Sequence, residues 1–161
     1  MREGLAMAIA STVSNYLRAQ DVEYDVLTHP HTATSGESAQ AAHVPGSRLA
    51  KSVILEDEQG YLMVVLPSTR QVNMQELHRQ LNRNLVLATE YELGGLFADC
   101  EIGALPPIGS AYGVETVVDD TIAEQPDIFF EAGDHEQLIH VSAETFQTLL
   151  GERIQRGCFS L

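Results

Sequence analysis

The chain has 161 residues, of which 44% are hydrophobic and 20% are charged. This balance is typical of one globular domain and argues against a disordered chain. The formal net charge of −14 argues against broad binding to a phosphate backbone, which needs a basic surface. We therefore expect a single domain over residues 1–161 that binds no DNA. We also expect no membrane span, because no apolar run approaches about 20 residues.

The charge is uneven along the chain. Between Arg48 and Arg83 the sequence has five basic and four acidic residues. Between Glu115 and Glu136 it has eight acidic residues and no Lys or Arg. Any contact with nucleic acid should therefore be small and confined to the first of these regions. A more neutral solvated face explains that region equally well.

The first third of the chain predicts two helices and a strand. Ile9, Val13 and Leu17 recur at the spacing of an amphipathic helix, to which Tyr16 also belongs. Asp21 ends this helix, and residues 1–10 lead into it rather than forming a secretory signal, because their apolar run is short. Further along, the pattern predicts a strand over residues 24–28 and a helix over residues 35–44, ended by Pro-Gly.

The middle of the chain predicts a hairpin and two capped helices. Residues 50–56 and 61–66 are apolar, β-branched runs separated by a polar turn. Asn73 and Thr89 each stand three residues before a glutamate, which is the spacing of a reciprocal capping box. A short strand over residues 85–88 separates the two helices. The inward face of the first helix should consist of Met74, Leu77 and Leu81.

The last third of the chain predicts strands that follow a shaped loop. Residues 99–113 contain three glycines and two adjacent prolines, which constrain the backbone. Strands are predicted over residues 114–118, 128–131 and 137–141, and Ser142 caps a last helix that ends at Gly151. The hairpin and the closely spaced late strands exclude a purely parallel sheet. We predict an α/β fold with one mixed sheet, curled and flanked by helices.

Two features of the sequence could carry chemistry. The glycine–proline loop at residues 101–109 could hold backbone amides toward a ligand oxygen, as an oxyanion hole requires, or it could be only a rigid turn. Lys51 begins an apolar strand. Its ammonium could bind a phosphate or carboxylate at the mouth of a pocket, or it could extend into solvent from a sheet edge.

The sequence predicts neither a metal site nor a protein nucleophile. Six histidines are present, but none has a spacing that favours zinc binding. Cys100 and Cys158 are far apart and form no CxxC pair, so we expect free thiols in a reducing compartment. There is no G-x-S-x-G motif. We therefore expect no metal and no cofactor.

Three segments, in this order, resemble the YbaK family of editing domains and the editing domain of prolyl-tRNA synthetase. They are LAKSVIL at residues 49–55, CEIGALPPIG at 100–109 and FEAGDHEQLIHVS at 130–142, and residues 64–77 add to the likeness. The resemblance covers residues 20–150. It implies a barrel-like mixed sheet and a cytoplasmic enzyme. The implied reaction is hydrolysis of the ester that joins a wrong amino acid to tRNA.

The resemblance also implies roles for individual residues. Lys51 would lie near a phosphate of the terminal adenosine, while Gly103 and Ala104 would hold the aminoacyl group with backbone amides. His135 matches a functional histidine of the synthetase domain if the alignment contains a gap, whereas an ungapped alignment places Gln137 there. The reacting water would be positioned by the loop and by the substrate's own 2′-hydroxyl. The substrate-binding residues expected beside these are Tyr24, Leu105, Pro106, Gly109 and Asp134.

The partners implied by the resemblance are the acceptor end of an aminoacyl-tRNA and, transiently, an aminoacyl-tRNA synthetase. Three functions stay open. The chain could be a trans-acting editing hydrolase, a binding module that keeps the pocket without turnover, or a structural domain whose acidic residues 115–136 form its working surface. Lys51 and the intact loop favour the hydrolase, and the weak basic region slightly favours the binding module.

Overall fold

The computed structural model describes residues 9–151 and 154–161. Eight strands in this part of the chain join one sheet. The strands are β1 Asp25–Thr28, β2 Leu49–Asp57, β3 Gly60–Pro67, β4 Val86–Leu87, β5 Glu115–Asp119, β6 Asp127–Glu131, β7 Gln137–Ser142 and β8 Gln155–Gly157.

In the described residues, six α-helices flank the sheet, and two short 3₁₀ turns, Gly46–Arg48 and Gly109–Tyr112, connect elements. None of the helices in the described residues is long and apolar enough to cross a membrane. The helices are α1 Ser11–Gln20, α2 Ser35–Ala42, α3 Met74–Leu81, α4 Glu90–Leu96, α5 Asp120–Ala123 and α6 Ala143–Leu150.

The sheet is mixed and follows the order β1-β7-β6-β2-β3-β5-β8, with β4 paired to β2. The central hairpin of β2 and β3 is antiparallel, whereas β2 pairs with β6, β3 with β5, and β5 with β8 in parallel. The predicted α/β class and helix-flanked mixed sheet are confirmed. The sheet does not close into a barrel, however, because β1 and β8 end the path and do not pair with each other in the described strands.

Helices cover both faces of the sheet. Met63 and Val65 of β3 join one core cluster with residues of α1 and α6, while Leu62, Val64 and Leu66 join a second cluster with Leu77 of α3. Successive side chains of a strand point to opposite faces, so a strand buried on both faces is apolar throughout. The apolar run over residues 61–66 therefore reflects a central strand.

The predicted helix boundaries agree with the local cap chemistry. Helix α1 buries Val13 and Leu17 and ends at Asp21, which has a left-handed φ of 53°. The lead-in predicted over residues 1–10 lies largely outside the described residues. Helix α2 ends at Ala42, two residues earlier than predicted, because His43 already adopts a left-handed cap. Helix α4 has the complete predicted capping box between Thr89 and Glu92.

The predicted capping box of helix α3 is only half formed. The Asn73 side chain accepts the N–H of Glu76 at 3.2 Å. The reciprocal bond is absent, because the Asn73 N–H donates to Phe159 O at 2.7 Å and the Glu76 carboxylate binds Arg79 at 2.7 Å. Met74 is also 38% exposed rather than on the inward face.

Candidate active site

A cleft of about 410 Å³ lies where strand β2, the start of helix α2 and the glycine–proline loop meet. It brings Lys51 and Gly103 together from distant parts of the sequence. Its floor and walls also include small residues and hydroxyls that sequence reasoning had not selected. The lining residues are Ala33, Thr34, Ser35, Gly36, Lys51, Ser52, Ser68 and Gly103.

Lys51 supplies the positive charge of this cleft. It pairs with Leu66 inside the β2–β3 hairpin, so it lies within the sheet and not on an edge strand. The side chain is half-buried, and desolvation lowers the pKa of its ammonium. Among the described residues, no carboxylate lies within 4 Å of this ammonium. The charge is therefore available to an anionic ligand.

The other basic residues of the predicted region are engaged elsewhere. Arg48 pairs with Asp127 at 3.1 Å, Arg79 with Glu76 at 2.7 Å, and Arg83 with Asp57 at 2.7 Å. Arg70 donates to the hydroxyl and carbonyl of Ser160. The basic patch expected between Arg48 and Arg83 is thus mostly neutralised.

Gly103 forms the loop's contribution to the cleft. Its φ of +90° is a left-handed conformation that favours glycine, and a Cβ there would lie 2.7 Å from Ala33 O. The Gly103 N–H has no acceptor among the described residues. The Ala104 N–H, expected to face the ligand, instead donates to Glu101 O at 3.1 Å within the turn. Gly103 is the loop residue that lines the cleft, so its N–H is the candidate donor of this loop to a ligand.

The remaining loop residues expected to bind substrate face the protein interior. Leu105 and Pro106 are buried, and the Leu105 carbonyl accepts the Ser52 hydroxyl at 3.0 Å. Gly109 begins a 3₁₀ turn against β5, where an added Cβ would lie 1.9 Å from Thr116 Oγ1. These three positions shape the loop from behind and do not line the cleft.

His135 and Asp134 lie behind the loop in the β6–β7 turn. His135 is only 2% exposed, and its Nε2 lies 2.9 Å from Ile102 O. Asp134 accepts the N–H groups of Glu136 and Gln137 through one oxygen, and burial raises the pKa of its carboxyl. The structure brings His135 next to Gly103 without exposing its ring to the cleft, and it places Asp134 in the turn.

Tyr24 lies in a different cleft, which is larger at about 570 Å³. The histidine of that cleft, His140, is already bonded to Asp127 at 2.7 Å and stacks on Phe129 with ring centroids 4.3 Å apart. We assign chemistry to the smaller cleft, because Lys51 and Gly103 line it, and among the described residues the ammonium has no carboxylate within 4 Å and the N–H has no acceptor. The residues that line the larger cleft are Val22, Glu23, Tyr24, Asp25, His140, Val141, Ser142 and Thr145.

Within the described residues, Cys100 is not an activated thiol, and there is no group of metal-ligating side chains. Burial raises the pKa of Cys100 to about 12, and its sulfur contacts the Tyr112 hydroxyl at 3.2 Å. In residues 9–151 and 154–161, no group of three His, Cys, Asp or Glu side chains could hold a metal ion. The arrangement suits binding and polarisation of a ligand by a cation and a backbone N–H.

Comparison with known proteins identifies the family. The family model described as aminoacyl-tRNA editing domain matches residues 29–149. The chain belongs to this family. The match includes Lys51, the loop and the β6–β7 turn, so it covers the whole candidate site. The predicted resemblance to editing domains is confirmed.

Individual relatives agree with this assignment. Proline–tRNA ligase of Bacillus cytotoxicus is 22% identical over 117 residues, which are 71% of this chain and 21% of that relative. The chain therefore spans about a fifth of the length of this curated relative. A solved candidate trans-editing enzyme for prolyl tRNA synthetase has a TM-score of 0.82 at 21% identity, covering 94% of this chain and 96% of that one. A scaffold for computational epitope grafting has a TM-score of 0.83 at 19% identity, covering 94% and 97%.

Proposed function

We propose that this editing domain hydrolyses, in trans, the ester bond of a mischarged aminoacyl-tRNA, as a proofreading step of translation in the cytoplasm. The observation that carries the proposal is the pairing of an unneutralised Lys51 ammonium with a free Gly103 N–H in one cleft. An aminoacyl-adenosine end presents a phosphate and an ester carbonyl, which are the two groups that such donors bind. Membership of the aminoacyl-tRNA editing family supports the substrate class.

In this proposal, the phosphate of the terminal adenosine binds beside Lys51. The start of helix α2, at Ser35 and Gly36, forms the adjacent wall of the cleft. The positive end of a helix dipole favours an anion at that position. Because burial lowers the pKa of Lys51, an anionic ligand in the cleft should raise that pKa again.

The ester carbonyl would then lie against the Gly103 N–H. A water molecule adds to the acyl carbon, and the N–H stabilises the negative charge that develops on the carbonyl oxygen. The bond between the acyl carbon and the ribose oxygen breaks, and that oxygen takes a proton. The products are a free amino acid and an uncharged tRNA. The substrate's 2′-hydroxyl positions the water in this scheme, which uses no protein nucleophile.

A non-catalytic binding module remains a second candidate. It is favoured by the neutralisation of Arg48, Arg79 and Arg83, since a free-standing enzyme must capture tRNA unaided. A transient contact with an aminoacyl-tRNA synthetase would reconcile this weak basic surface with catalysis, because the synthetase would deliver the charged acceptor end.

Purified protein tested against tRNAs charged with Ala, Pro, Ser, Cys and Thr separates these candidates. The hydrolase proposal requires that at least one charged tRNA loses its amino acid faster than without protein, and that a chelator does not abolish this activity. Measurable binding of charged tRNA without turnover on any of the five would establish the binding module instead.

A further inference from the structure

A chain of buried polar side chains runs beneath the Gly103 loop. Ser38, Glu131 and His135 are 0%, 1% and 2% exposed. Thr32 Oγ1 lies 2.6 Å from Ser38 Oγ, which donates to Glu131 Oε2 at 2.5 Å. The same carboxylate oxygen lies 3.5 Å from His135 Nδ1, and His135 Nε2 lies 2.9 Å from Ile102 O. These side-chain contacts therefore connect helix α2 to the Gly103 loop through strand β6.

The contact with Ile102 determines where His135 carries a proton. A carbonyl oxygen only accepts, so Nε2 must be protonated to make the 2.9 Å bond. Nδ1 has no hydrogen-bond partner within the described residues, and neither does Glu131 Oε1. One proton shared between the carboxyl group and Nδ1 would satisfy the ring and leave the pair without net charge. Burial raises the pKa of Glu131, which favours this neutral pairing.

The other titratable groups near Glu131 make contacts of their own, although His29 Nε2 and Asp134 Oδ2 have no hydrogen-bond partner among the described residues. His29 Nδ1 bonds Pro30 O at 2.8 Å, and Asp134 caps the turn that follows β6. The ring of His31 lies 5.8 Å from that of His135, but His31 is bonded to Glu101 at 3.0 Å. Glu131 is therefore the carboxyl group placed to act on His135 Nδ1.

His135 controls the orientation of one peptide unit of the loop. The Ile102 carbonyl and the Gly103 N–H belong to the same planar trans peptide, so they point in opposite directions. Holding the carbonyl toward the buried ring turns the N–H away from that ring, and Gly103 itself lines the cleft. The backbone bond from Glu101 N to Gly133 O at 2.8 Å anchors the loop on the same turn.

We propose that Glu131 is a positioning residue for ester hydrolysis, which acts through His135 to aim the Gly103 N–H at the carbonyl oxygen of the substrate. The proposal rests on the proposed function for its effect on rate. It assigns His135 a place behind the loop, where its ring never touches the substrate.

Two substitutions at Glu131 separate positioning from general stability. Glu131→Gln keeps only one of the two contacts of Oε2, an oxygen for Ser38 or an N–H for Nδ1, so kcat should fall by no more than about tenfold. Glu131→Leu removes both, so kcat should fall by about 30-fold or more, with KM within about threefold because Lys51 still holds the phosphate. Leu77→Ala creates a cavity in the core cluster on the opposite face of the sheet. This variant is the control, because it loses stability without touching the loop. A folded Glu131→Leu protein with wild-type kcat would overturn the proposal.

NMR spectra test the same idea without substrate, and the first of them needs only the wild-type protein. Long-range ¹H–¹⁵N correlation of the histidine rings should show a proton on Nε2 of His135, and the Gly103 amide signal should shift in Glu131→Leu but little in Glu131→Gln. A bare Nε2 with the proton on Nδ1 would overturn the proposal. If the spectrum is as expected but no charged tRNA is hydrolysed, the proposed function fails while the positioning network stands.

Discussion

Lys51 and Gly103 line one cleft, although Lys51 lies in the central strand β2 and Gly103 in the loop that follows helix α4. The ammonium of Lys51 has no carboxylate within 4 Å in the described chain, and the Gly103 N–H has no acceptor there. Gly103 is exposed and Lys51 is half-buried, so both donors are open to a ligand as well as to water. These two groups therefore define where a phosphate and an ester carbonyl would bind.

Substitution of Gly103 should affect turnover more than stability, whereas substitution of Gly109 should do the reverse. A Cβ at Gly103 would lie 2.7 Å from Ala33 O at a φ of +90°, so Gly103→Ala must move the exposed loop. Loss of such a donor lowers kcat by about 100-fold or more in other hydrolases. A Cβ at Gly109 would lie 1.9 Å from Thr116 Oγ1 in the packed interior, so Gly109→Ala should lower Tm instead. Rates and melting curves of both variants provide the test, and an unchanged kcat in folded Gly103→Ala would mean that the loop is only a turn.

Cys100 should be chemically inert in the folded protein. Burial raises its pKa to about 12, and the thiolate is the form that reacts with iodoacetamide. In a Cys158→Ala background, alkylation near pH 8 should be at least about tenfold slower in the native protein than in urea. Cys100→Ala should keep kcat within about twofold of the parent, because no step uses this sulfur. Rapid native alkylation that abolishes hydrolysis would contradict this prediction.

The ion pair between Glu76 and Arg79 should make a small, acid-sensitive contribution to stability. The Arg79 guanidinium lowers the pKa of Glu76 from 4.5 to about 2. A carboxylate with a lowered folded-state pKa contributes fully above pH 4.5, and its contribution disappears as the pH falls toward 2. Glu76→Gln should therefore lower Tm by roughly 1–2 °C near neutral pH, since the pair is exposed. The difference from wild type should close in melts at acidic pH, and a pH-independent difference would refute the assignment.

Local patterns predicted most of the elements and singled out Lys51 and the loop of Gly103, which the structure places at one cleft. The apolar runs over residues 50–56 and 61–66 became β2 and β3, and Thr89 and Glu92 formed their capping box. Lys51 interrupts a buried strand and Gly103 belongs to a constrained loop, so each is visible in the sequence without knowledge of its neighbours. Such features depend on a few consecutive residues, which is why a single sequence reveals them.

Features that depend on tertiary contacts could not be predicted in the same way. Strand β8 forms by pairing with β5, and the short helix α5 is capped by Asp119, which also accepts the Phe159 N–H at 2.8 Å. Gly109 was expected at the substrate, but its role is set by Thr116 on a neighbouring strand. Tyr24 likewise belongs to the cleft of His140. The pairing of Ser38 with Glu131 has no sequence signal, because the two residues meet only through the fold.

The deacylation rate of Lys51→Ala decides whether the cleft of Lys51 and Gly103 is the editing site. The measurement is single-turnover hydrolysis of whichever charged tRNA the wild-type protein accepts, with a melting curve for each variant. Arg79→Ala is the matched control, because it removes a cation that Glu76 already neutralises on the surface of α3. Lys51→Arg tests whether the shape of the cation matters as well as its charge. A planar guanidinium does not replace a compact ammonium, so this variant should restore only part of the rate that Lys51→Ala loses.

Lys51→Ala should lower the rate by about 100-fold or more, because it loses a charge-assisted contact and misplaces the ester, while Tm stays close to that of wild type. Arg79→Ala should retain the wild-type rate. A folded Lys51→Ala protein that hydrolyses the same charged tRNA at the wild-type rate would contradict the assignment of this cleft as the editing site.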